Sequence, residues 1–176
     1  MSRRLASLLL AALSPALALA GDAPVDVGKI EGVYRRAFRN GDSAGAKYTT
    51  TDVLKLVRLD KGAAYFDIAL YFFNGHMCEL SGIAKAEGGA LVYRGATGVG
   101  DAICELAIKP ARGRIGFADA GERCRSTCGA RGGYDDAEFS IARRQRMSAR
   151  ERRKILAEAR EEIEAHRAGR AAKPGN

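Results

Sequence analysis

Four cysteines, two histidines and one arginine-rich stretch are the residues of this chain with chemistry to offer. The cysteines are Cys78, Cys104, Cys124 and Cys128. Metal ligation fits them badly: Cys124 and Cys128 lack the C-x2-C step, and no histidine lies near them in sequence. Two disulfides account for all four and leave no thiolate for nucleophilic catalysis. His76 is the one histidine of the chain's body, and His166 lies near its end. A Ser-His-Asp site needs a histidine held by a carboxylate beside a nucleophile, and no G-x-S-x-G is present. Residues 95–100 (GATGVG) have the wrong spacing for a phosphate loop, and no Lys-Ser/Thr follows. Asp67, Glu79 and Glu105 fall inside strand-like runs and are read as outward and solvated. The sequence therefore predicts no enzyme, no metal and no cofactor.

The stretch with most character is residues 123–134 (RCRSTCGARGGY). Two cysteines pin it, and Arg123, Arg125 and Arg131 crowd it. A covalently stiffened loop has little ordering entropy left to lose on binding. Guanidinium groups on such a loop suit a carboxylate-lined cleft. Arg123, Arg125, Ser126 and Arg131 are the candidate partner-binding residues, with Arg125 and Arg131 foremost. The plainer alternative is a covalently tied turn.

Positioning such a loop requires a rigid scaffold, and the body of the chain reads as strands. Strand-forming runs occur at 29–38, 49–59, 63–73, 76–86, 90–94, 102–109, 114–118 and 134–142. Asn74-Gly75 between two of them is a strong hairpin signal, because both residues tolerate positive φ. Pro110 to Gly113 marks another turn. About eight strands joined by short turns predict an all-β antiparallel meander closing as a small barrel. In the run 63–73, Tyr65, Asp67, Tyr71 and Phe73 share one face; Phe66, Ile68, Leu70 and Phe72 share the other. A tail helix follows. Ser148 and Glu151 form a capping box, Ile155, Leu156, Ala159 and Ile163 make a narrow apolar stripe, and Gly169 is a stop signal. Loose docking on the barrel, pairing with a partner helix and full solvation all fit that stripe.

The meander also ranks the cysteine pairings. Cys78 and Cys104 open strands two places apart, about 9 to 10 Å across a flat sheet. A disulfide needs Cα atoms about 4.4 to 6.8 Å apart. The strand holding Phe117 returns to the same end and brings Cys124 beside Cys104. Cys104–Cys124 with Cys78–Cys128 is preferred. Cys78–Cys104 with Cys124–Cys128 is second.

Charge and compartment set the remaining bounds. Residues 1–20 read as a secretory signal: Arg3 and Arg4, an apolar Leu5–Leu13, then Ala18-Leu19-Ala20 before Gly21. The expected location is periplasmic or secreted. The barrel is assigned to 21–142 and a basic helical tail to 143–176. The tail holds eleven Lys and Arg against five Asp and Glu, whereas 21–142 holds sixteen of each. A neutral body with a basic tail is not the pattern of a nucleic-acid-binding domain. Arg150, Arg152, Arg153 and Lys154 suit an anionic envelope surface.

The segments Gly75-His76-Met77-Cys78-Glu79-Leu80-Ser81-Gly82, Leu91-Val92-Tyr93, Cys104-Glu105-Leu106 and Cys128-Gly129-Ala130-Arg131-Gly132 carry a resemblance. They resemble a group of small exported bacterial proteins without established activity, over roughly residues 28–141. In architecture the chain is similar to periplasmic lysozyme inhibitors, with no residue of their active loop carried over. The resemblance implies a binding protein of the cell envelope. The expectation is an inhibitor-like module whose partner is an envelope or secreted protein with an acidic cleft, such as a lysozyme-like hydrolase. The alternatives are a small-ligand carrier lined by Tyr65, Tyr71 and Phe73, and an envelope-attached structural protein.

Overall fold

Short turns with positive φ set the architecture. Asn74 (φ 60°) and Gly75 (φ 73°) sit between Phe73 and His76, and the His76 N–H donates to the Phe73 carbonyl at 3.5 Å. This is the mirror-image turn whose twist matches that of the flanking strands. Gly88-Gly89 and Arg112-Gly113 repeat the pair of positive φ values. The computed structural model describes residues 24–96 and 103–171. The leader at 1–20, the glycine-rich residues 97–100 and the last residues, 172–176, lie outside the described residues.

The first element among the described residues is a helical turn, α1 (Val27–Ile30), capped by the Asp26 carboxylate. Eight strands follow: β1 (Gly32–Gly41), β2 (Lys47–Arg58), β3 (Ala63–Tyr71), β4 (Met77–Glu87), β5 (Ala90–Ala96), β6 (Ile103–Ala111), β7 (Arg114–Asp119) and β8 (Glu138–Ser140). They form one antiparallel sheet in sequence order, which curls into a nearly closed barrel. Residues 29 and 30, expected to open the first strand, belong to α1. Pro110, expected in a turn, lies in β6 opposite Ile115. The last strand is far shorter than 134–142, because the chain before Glu138 is occupied at the barrel's end.

Alternation fills the interior. Leu54, Leu56, Phe66, Ile68, Leu70, Leu106 and Ile108 are all 1% exposed or less. Phe66 meets Tyr93 edge-on, with ring centroids 5.2 Å apart. Tyr65, Tyr71 and Phe73 were the expected lining of a ligand-carrying lumen. They lie on the outer face of β3 and its hairpin, because register places Phe66, Ile68 and Leu70 inward.

Two gaps interrupt the ladder. β1 and β8 lie close but share no strand pairing. Below β8 the chain returns to β1, where Val33 and Gln145 exchange hydrogen bonds of 3.0 and 2.9 Å. The barrel thus includes residues past 142, beyond the boundary the composition suggests. A Cβ on Gly32 would lie 2.8 Å from the Gln145 carbonyl, so this strap needs glycine there. The second gap lies between β4 and β5, which pair only from Lys85 to Glu87.

The tail helix docks. It consists of α2 (Ala149–Glu158) and α3 (Arg160–Ala171), broken at Ala159. Gly169 does not stop it. Ser148 Oγ accepts the Glu151 N–H at 3.1 Å, as the capping box requires. Ile155, Ala159 and Ile163 are buried against Val57 and Tyr65 on the barrel's outer wall. Glu162 of α3 accepts the Ile83 N–H at 3.0 Å, which satisfies an edge donor of β4 inside the second gap. No helix among the described residues is long and apolar enough to cross a membrane.

Replacing Ile163 by alanine removes a buried side chain and is expected to cost about 2 to 4 kcal/mol of docking. Amide exchange should then accelerate in α3 and at Ile83 while β6 and β7 keep their protection. Unchanged exchange in α3 would show that the stripe is not what holds the helix.

Candidate functional site

The arginine-rich stretch covers one end of the barrel, and the residues beneath it explain its shape. At the end of β7, both carboxylate oxygens of Asp119 accept the Cys124 N–H at 3.1 Å. The Asp119 N–H in turn donates to Asp135 at 2.8 Å. Burial raises the Asp119 carboxyl above its usual range, the Cys124 amide opposes this, and the charges of Asp135 and Glu122 add to it. Two single 3-10 turns follow, Ala120–Glu122 and Arg125–Thr127. Thr127 Oγ1 donates to the Cys124 carbonyl at 2.8 Å and shares a 2.5 Å hydrogen bond with the Tyr134 hydroxyl.

The disulfides are Cys78–Cys128 and Cys104–Cys124, the preferred pairing. All four cysteines are used. They close loops of 50 and 20 residues, which by chain-entropy arguments contribute about 4 and about 3 kcal/mol. Beyond Cys128, the Gly129 N–H donates to the Met77 carbonyl at 2.8 Å. This contact occupies the edge of β4 in the second gap. The motif Cys128-Gly129-Ala130-Arg131-Gly132 now has a packing explanation. A Cβ on Gly132 would sit 2.7 Å from Cys78 Sγ, and one on Gly129 would sit 2.6 Å from His76 Nδ1. His76 is half-buried and packs under the loop.

The four expected contact residues, Arg123, Arg125, Ser126 and Arg131, are all exposed. They differ in their partners. Arg125 turns back onto Glu122, Nη1 to Oε2 at 2.7 Å, so its charge is already matched. The guanidiniums of Arg123 and Arg131 meet no carboxylate among the described residues. The Arg131 guanidinium crosses to the β3–β4 hairpin and lies 5.5 Å from the Phe73 ring centroid. Phe73 is 39% exposed, one of two large apolar side chains so exposed among the described residues. The loop and the hairpin therefore build one surface. The sequence contains Phe73 but not this pairing, which depends on Cys78–Cys128 holding the two segments together.

The other charged candidates are tied to structure. Asp67 faces out and meets Lys55 at 2.7 Å. Glu105 shares Arg94 with Glu87. Arg152 bonds Glu31 and the Arg58 carbonyl, and Lys154 pairs with Glu158. Arg150 and Arg153 remain exposed on the helix. No group of three or more metal-ligating side chains is assembled among the described residues. The chain matches no protein-family model, no curated protein and no solved structure in comparison with each.

Two expectations follow. Gly132→Ala must push the Cys78–Cys128 bridge or Phe72 aside and should lower stability by about 1 to 3 kcal/mol. Gly133→Ala, where a Cβ meets nothing, serves as the control in thermal unfolding.

The second concerns alkaline pH. Burial pushes the Tyr34 and Tyr134 hydroxyls up to about 12. The unfolded chain releases these protons near the ordinary value of 10.0. Between the two values the unfolded state binds fewer protons than the native state, so stability falls as pH rises. Tyrosinate absorbance should show two phenols protonated well beyond pH 10 in the native protein. Full ionisation of every tyrosine near 10.0, with the fold intact, would contradict the burial of these two groups.

Proposed function

We propose that this chain is an exported, non-catalytic binding protein that grips a protein partner with its disulfide-tied rim. The observation that carries the reading is the Arg131–Phe73 pair, an exposed guanidinium on an exposed ring. Arginine and aromatic residues dominate the energetic centres of protein interfaces. Here both stand on backbone fixed by Cys78–Cys128, so binding orders little that is not already ordered. Arg123, whose guanidinium meets no carboxylate among the described residues, extends the cationic side of the surface, and Ser126 adds an exposed hydroxyl. Arg125 is the weaker contact, since Glu122 competes for it. The partner is one with an acidic cleft, and a lysozyme-like hydrolase is the class that the architecture suggests.

Location supports the same reading. Four paired cysteines suit an oxidising extracellular or periplasmic space. Cleavage near Ala20 and Gly21 would release the protein there. The carrier alternative has lost its lining, because Tyr65, Tyr71 and Phe73 face outward.

The purified protein should bind a lysozyme and slow its hydrolysis of cell wall. Phe73→Ala and Arg131→Ala should each weaken that inhibition about 30-fold, the loss of a contact worth about 2 kcal/mol. Arg125→Ala should cost less than either. Absence of binding to lysozymes of every class would reject this partner. Equal inhibition by wild type and Phe73→Ala would reject this surface.

A further inference from the structure

The described residues hold one fully buried charged side chain, and it is not part of the rim. Asp52 of β2 is 0% exposed. Its Oδ1 accepts the Tyr71 N–H at 2.8 Å. Its Oδ2 accepts Arg36 Nε at 2.9 Å and Nη2 at 2.6 Å. Sealing a carboxylate from water is costly unless it is paired and hydrogen-bonded, and here Arg36 and the Tyr71 N–H together meet that need. What the pair does is fix a guanidinium. Arg36 shares its strand face with the buried Tyr34, yet its side chain is 40% exposed. It reaches solvent because β1 and β8 are unpaired there. Its Nη1 takes no part in the bonds to Asp52 and is left for another acceptor.

Three further arginines stand at the same opening. A cleft of about 290 Å³ is lined by Arg35, Arg36, Arg114, Arg143, Glu138 and Ser140. Arg114 meets Glu138 at 3.2 Å, and Arg35 donates to the Gln145 side chain at 3.0 Å. Arg143 has no ion pair or hydrogen bond among the described residues. Four guanidiniums thus face two carboxylates, one of them sealed behind Arg36. The main chain adds donors. Val33 turns its N–H and carbonyl to Gln145, and by the period of two Arg35 and Ala37 turn theirs the same way, where no strand meets them.

The geometry points to a phosphate-binding site in the β1–β8 seam, built on Arg36 and Arg143 and held in shape by Asp52. The surplus of about two positive charges matches a phosphate monoester, which carries about −1.5 to −2 near neutral pH. A fixed guanidinium fork beside main-chain donors suits its several oxygens. Asp52 is a positioning residue, since it touches Arg36 and not the anion. The phosphate can belong to a small soluble ester or to a lipid headgroup.

Calorimetry of the purified protein with inorganic phosphate distinguishes the outcomes. A dissociation constant of about 1 mM or tighter is expected at low salt. Arg143→Ala, which leaves no buried charge stranded, should weaken binding about tenfold, the loss of one charge-assisted contact. Asp52→Asn is the sharper test. It makes the protein more positive, so attraction by net charge alone would tighten binding. A positioning role predicts weaker binding instead. Vesicles containing phosphatidic acid separate the sources: binding to them that Arg143→Ala abolishes, at lipid phosphate levels where the free ion binds poorly, assigns the site to a headgroup. No binding at about 10 mM phosphate to the free ion or to the vesicles overturns the proposal. So does binding of either that is unchanged in Arg143→Ala, or free-phosphate binding that tightens in Asp52→Asn.

Discussion

Every strand at the edge of a sheet leaves a row of backbone donors and acceptors without partners, and this barrel has two such places. One is the seam where β1 and β8 fail to pair, and the other is the splay where β4 stands apart from β5 before Lys85. Both are closed by parts of the chain that come after the sheet is nearly complete. Gln145 bonds Val33 in the seam. Glu162 takes the Ile83 N–H, and Gly129 gives its own N–H to Met77, in the splay. The arginine-rich loop and the tail helix are therefore parts of the barrel wall. Their positions follow from backbone groups that would otherwise be left bare.

Most of the scaffold is legible in the sequence because its signals are local. Asn74-Gly75 and Gly88-Gly89 announce their turns through residue types that accept positive φ. The run from Tyr65 to Phe72 announces a two-faced strand by its composition. Ser148 and Glu151 announce a helix start that needs nothing distant. The cysteine pairing is readable for a related reason. In a meander, the strand order fixes which cysteines return to the same end.

What sequence could not supply is the direction in which faces and gaps point. Alternation separates Tyr65 and Tyr71 from Phe66 and Leu70, but both sets are apolar enough to be inward. Only the register with β2, and the helix laid over Tyr65, decides between them. The tail stripe is narrow and by itself does not say whether it docks on the barrel, pairs with another helix or stays solvated. Val57, Tyr65 and Ile83 complete it from the barrel side. Arg36 and Asp52 carry no motif, since their meaning arises from a strand pairing that does not form. Phe73 and Arg131 are 58 positions apart in the sequence and meet only through a disulfide.

The order of the strands has a kinetic consequence. Each strand from β1 to β8 pairs with its neighbour in sequence, and every ladder except β7–β8, which spans residues 120–137, closes only a short loop. Such contacts form early and at small entropic cost. The circumference is different. Val33 and Gln145 belong to opposite ends of the barrel sequence, and their pairing must wait until every hairpin between them is in register. The same step brings the chain to the start of α2, and with it the helix that covers the outer wall. Ring closure, with the helix docking that follows it along the chain, is therefore a late event. A barrel caught before that event exposes both β1 and the flank of β4 as strand edges open to another chain.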